Sequence, residues 1–115
     1  MQGPASIQEL ANDTTPFGTE LAEQVAARLE EGSSIGVRRA GYCGMGMEKD
    51  EYGDYMYGEL YTGIIQKPLC FRTREAFVDW LAQQSTASLA RLDAEDPRKR
   101  GFLVITRERL LAFVL

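Results

Sequence analysis

Apolar residues recur every four positions at Phe17, Leu21, Val25 and Leu29, with Ala22 and Ala26 beside them. That spacing puts them on one side of an α-helix. Thr15-Pro16 suits an N-cap followed by the first helical position, where the missing proline N–H is not needed. Glu20 and Glu23 lie early, Arg28 lies late and Gly32 follows, so the charges complement the helix dipole and the glycine supplies a stop. A helix over about 16–31 is predicted. Upstream, Ser6-Ile7-Gln8-Glu9 fits a capping box and predicts a short helix through about Asn12, ending in the polar Asn12-Asp13-Thr14-Thr15.

Beyond Gly32 the period changes to two. Ile35 and Val37 alternate with small or charged residues, the acidic run Glu48 to Asp54 forms a polar turn, and a tyrosine-rich run follows. Tyr55, Tyr57, Glu59 and Tyr61 share one parity of an extended chain, and Met56, Leu60, Thr62 and Ile64 share the other. The pattern predicts a β-hairpin over about 34–65, with one core face and one tyrosine-bearing face. Pro68 removes a ladder donor, so Leu69-Cys70-Phe71 reads as an edge strand or a connector.

Thr73 caps a predicted helix at 74–84 with an apolar stripe of Phe77, Trp80 and Leu81, and Thr106 caps another at 107–114. Each threonine precedes a glutamate in the positive first turn, at Glu75 and Glu108. Between them, Ser85 to Leu92 is ambiguous, Asp93 to Gly101 reads as an exposed loop, and Phe102 to Ile105 as a short strand or a lead-in. The expected fold is one α+β domain over residues 1–115. Its antiparallel sheet of three or four strands is centred on the hairpin and packs against three helices.

Composition narrows the function. The chain has 115 residues, 44% of them hydrophobic, which suffices for one modest core. Its formal net charge of −4, with Arg98-Lys99-Arg100 as the densest basic cluster, argues against nucleic acid as a partner. The first residues lack a basic, then apolar, secretory pattern, and no apolar run reaches membrane-spanning length, so a cytoplasmic protein with no membrane partner is expected. There Cys43 and Cys70 are expected to be reduced thiols. The chain has no histidine, which excludes His-dependent triads and the usual zinc sites.

Candidate chemistry is correspondingly sparse, and no cofactor is expected. Gly41-Tyr42-Cys43-Gly44-Met45-Gly46 is glycine-rich but lacks the lysine and hydroxyl residue of a phosphate loop, and reads as a bulge or bend. Cys43, near Arg38 and Arg39, is the one candidate nucleophile and gives the alternative of a small enzyme or ligand-binding domain. Glu48, Asp50, Gly53, Asp54 and Glu59 partly follow a calcium-loop spacing, but Tyr52 and Met56 occupy ligand positions and the flanks read as strands, so no metal is expected.

The aromatic and acidic residues are the stronger lead. Tyr42, Tyr55, Tyr57 and Tyr61, with Glu48, Asp50, Glu51, Asp54 and Glu59, compose a surface suited to a basic protein partner. The other reading is that the rings cover the sheet beneath a helix, since alternation shows which residues share a face but not which face is buried. A homodimer built on the tyrosine face accounts for the same residues.

Tyr42-x-Gly44, Tyr57-Gly58-Glu59, Phe71-x5-Phe77-Val78-x-Trp80-Leu81-Ala82-x-Gln84-Ser85-x2-Ser88-Leu89 and Ile105-Thr106-Arg107-Glu108-Arg109-Leu110 together give a pattern that resembles small bacterial immunity proteins. These are the cognate inhibitors of contact-dependent or type VI secretion toxins, and the resemblance spans about Gly41 to Phe113. It implies tight, non-catalytic binding of a toxin domain. Contact residues do not transfer, because such interfaces differ from pair to pair.

Overall fold

A computed structural model describes residues 13–37, 44–61, 63–89 and 105–115, with Tyr61 and Lys67 described by backbone alone. The expected helix at 6–12, the loop at 93–101, the apolar 102–104, and Gly41, Tyr42 and Cys43 lie outside these residues. The architecture is α+β, an antiparallel sheet packed against helices.

Helix α1 (Thr19–Glu30) buries the predicted stripe of Leu21, Ala22, Val25, Ala26 and Leu29. It stops as expected: Gly32 at φ 95° sends its N–H to the Leu29 carbonyl at 3.1 Å, while Ser33 N bonds Arg28 O at 3.1 Å. Those paired bonds are a Schellman closure. The start differs from the Thr15-Pro16 prediction. Phe17 N and Gly18 N donate to the Gln84 and Ala82 carbonyls at 2.8 and 3.0 Å, and Arg107 Nη2 takes the Thr15 and Pro16 carbonyls at 2.9 and 2.8 Å. Tertiary bonds hold this backbone outside the helix. Gly18, at φ 89°, turns it into the helix with no side-chain cap.

Strands β1 (Gly44–Lys49), β2 (Tyr55–Tyr61) and β3 (Ile64–Phe71) form a sheet in the order β1-β2-β3 among the described residues. The hairpin partner of β2 is therefore Gly44–Lys49, which corrects the expectation that Ile35 and Val37 begin the hairpin and that Glu48 and Lys49 belong to its turn. Adjacency explains the choice: a short turn at 50–54 closes β1 directly onto β2. Ile35 instead makes a single bridge to Met47, with N···O distances of 2.9 and 3.2 Å, along the outer edge of β1.

The β2-β3 register shifts once. Tyr57 pairs with Leu69 but Glu59 pairs with Gln66, so Lys67 and Pro68 together oppose Gly58. A bulge on a margin strand accommodates a proline with no N–H to give.

Helix α2 (Arg74–Gln83) lies over one face of the sheet and against α1, burying Phe77, Val78 and Leu81. Ser85 and Ser88 cap α3 (Thr86–Leu89) reciprocally, through Ser88 N to Ser85 Oγ at 3.1 Å and Ser85 N to Ser88 Oγ at 2.7 Å. Helix α4 (Arg107–Val114) also packs on α1, inserting Leu110. The predicted threonine caps are present: Thr73 Oγ1 accepts from Ala76 N at 3.1 Å, and Thr106 Oγ1 accepts from Arg109 N at 3.2 Å.

The two faces of the sheet differ in kind. Met45, Met47, Tyr55, Tyr57 and Phe71 share the helix side and join the main core. Gly44, Gly46, Gly58, Leu60 and Ile65 share the other. Gly46 and Gly58 are paired directly across the strands, and a Cβ on either would lie 2.7 Å from the Leu60 or Ile65 side chain. The glycines let Leu60 and Ile65 lie down on the sheet, buried to 5% and 8% exposure outside the main core.

Candidate functional site

The hairpin tip is built by one carboxylate. Asp50 Oδ1 accepts from the backbone N–H of Tyr52 and of Asp54, both at 2.9 Å. Asp50 N reaches Asp54 O at 2.9 Å, and Gly53 N reaches Asp50 O at 3.1 Å with Gly53 at φ 91°. A short acidic side chain that bonds amides two and four residues on is a recurrent turn former. Asp50, half-buried, is thus bonded to its own loop through one carboxylate oxygen. Glu51 is exposed, Asp54 half-buried, and Tyr52 projects with 83% of its surface in solvent.

Glu48 and Glu59 stand apart from this tip. Glu48 pairs with Met56 on the glycine side of the sheet, whereas Glu59 pairs with Met45 and Gln66 on the helix side toward the far end of β2; both are half-buried. Among the described residues, the side chains expected to form one surface are divided between the tip, the two faces of the sheet and the core. Tyr42 lies outside the described residues, and the side chain of Tyr61 is likewise outside them.

Tyr55 and Tyr57 correct the expectation most sharply. At 3% and 6% exposure they are core residues. Tyr55 stacks on Phe77 with ring centroids 5.2 Å apart and planes 17° off parallel, and Tyr57 meets Trp80 at 5.2 Å. Phe71 closes the cluster at 4.9 Å from Trp80 and 5.9 Å from Phe77. The aromatic parity of β2 faces the aromatic stripe of α2, and the opposite parity, Met56, Gly58 and Leu60, carries no aromatic ring. A partner surface or a homodimer interface built on Tyr55 and Tyr57 is excluded by this burial.

Where the Tyr55 hydroxyl ends, a charged constellation begins. It donates to Glu30 Oε2 at 2.5 Å, and the same oxygen accepts from Arg74 Nε at 3.1 Å. Arg74 also donates through Nη2 to Glu23 O at 3.1 Å. Burial, reinforced by the bond to Glu30 and its negative charge, pushes the Tyr55 phenol up to about 12, with Arg74 opposing. The arrangement ties β2 and both major helices together.

A cleft of about 240 Å³ opens beside this cluster between Thr19, Glu23, Arg74, Glu75, Val78 and Asp79. Arg74, the cation among its described lining residues, is bonded to the Glu30 carboxylate and the Glu23 backbone carbonyl. A second cleft, of about 250 Å³, lies between Ser34, Ile35 and Gly36 and the Arg109, Ala112 and Phe113 side of α4. Cys70 is exposed on β3, with its thiol 3.9 Å from the Pro68 carbonyl. Among the described residues no group of three acidic or cysteine side chains is placed to hold a metal ion, and no helix is long and apolar enough to cross a membrane.

Two features were not reached from the sequence. Tyr52 falls outside the strand alternation that grouped the other tyrosines, and its position inside the Asp-x-x-Gly turn is the signal that would have separated it. Glu30 and Arg74 are 44 residues apart, and no local pattern pairs them. Comparisons with protein-family models, with curated proteins and with solved structures give no match.

Proposed function

We propose that the protein is a non-catalytic protein-binding module that presents the hairpin tip to a basic partner, as an immunity protein presents an acidic surface to a toxin. The observation that carries this reading is Tyr52: a large aromatic residue, 83% exposed, on a backbone pinned by Asp50 and flanked by Glu51 and Asp54. An aromatic anchor on a pre-ordered turn loses little conformational entropy on binding. Adjacent carboxylates steer a cationic surface toward it. The resemblance to immunity proteins supports the choice of partner class, and the exposed tip supplies a contact surface independent of that resemblance.

The test is co-purification and calorimetric titration with the protein encoded by the neighbouring reading frame, joined to survival of cells expressing that protein. Wild-type chain binds and protects. Tyr52→Ala weakens binding by ~2 kcal/mol, close to thirtyfold. Glu51→Lys slows association, and the difference shrinks as salt is raised. Equal affinity for both variants moves the contact off the tip, and no binding by the wild-type chain removes the immunity reading.

A further inference from the structure

We draw no further inference here: the strongest candidate, the exposed apolar side chains of Ile64 and Leu69 on β3 at the margin of the sheet, carries nothing because nothing in the structure shows what covers them.

Discussion

Tyr55 shows how one side chain serves two environments. Its ring is packed on Phe77 and its hydroxyl reaches the half-exposed Glu30–Arg74 pair, so a single residue connects core and charge. The phenol titrates at about 12 in place of the ordinary 10.0, chiefly through burial. The folded state therefore favours the protonated phenol. That stability is fully present below pH 10.0 and is lost as pH rises toward 12. Denaturant titrations across this window are expected to show falling stability, with a shallower fall for Tyr55→Phe. Near neutral pH the same variant keeps the ring contact but loses the bond to a charged acceptor, at a cost of ~1.5–3 kcal/mol. An unchanged slope in Tyr55→Phe would assign the alkaline loss to other groups.

At the scale of elements, local chemistry decides where α2 and α4 begin, and long-range contact decides where strands sit. Thr73 and Thr106 each accept a hydrogen bond from the amide three residues on. Thr73→Ala and Thr106→Ala are each expected to cost ~1 kcal/mol in thermal or chemical denaturation. The sheet depends instead on what is missing. A Cβ on Gly46 would lie 2.7 Å from Leu60 Cδ1 and 2.8 Å from the Ile35 carbonyl oxygen, whereas on Gly58 the nearest backbone atom, Gln66 O, is 3.1 Å away. A side-chain tip can swing aside more readily than a bridged carbonyl. Gly46→Ala should therefore destabilise by ~1–3 kcal/mol and by more than Gly58→Ala, with the Ile35–Met47 bridge amides losing protection in hydrogen exchange.

For the molecule as a whole, Phe77 is where the helical and sheet layers meet. It is fully buried, 5.2 Å from Tyr55, 5.9 Å from Phe71 and 6.2 Å from Trp80 between ring centroids. Phe77→Ala is expected to cost ~3–5 kcal/mol and to abolish the near-ultraviolet circular dichroism of the aromatic cluster. Loss of less than ~1 kcal/mol would mean that the layers are held elsewhere, by α1 against β1 or by the Tyr55–Glu30–Arg74 tie. The ends of the helices are joined just as firmly. Arg107 holds the Thr15 and Pro16 carbonyls, stands 5.4 Å over the Phe17 ring, and gives its own N–H to Thr86 Oγ1 at 3.1 Å. These contacts bring residues 13–18, α3 and the start of α4 into one corner.

The sequence by itself determined the helices at 19–30, 74–83 and 107–114 to within a few residues, because apolar periodicity, threonine caps and a C-terminal glycine act over one or two turns. It also determined that β2 has two unlike faces and that a turn separates it from the strand before. Only the tertiary structure decided which face is buried, since alternation is symmetric until an opposing layer exists. Phe77 and Trp80 on one side and the Gly46–Gly58 pair on the other broke that symmetry. The start of α1 was settled the same way, by the carbonyls of Ala82 and Gln84 at the end of α2, more than 60 residues on. The candidate site follows the same division: the acidic turn was legible because Asp50 bonds amides two and four residues away. Tyr52 is its exposed aromatic residue, while long-range packing holds Tyr55 and Tyr57 in the core.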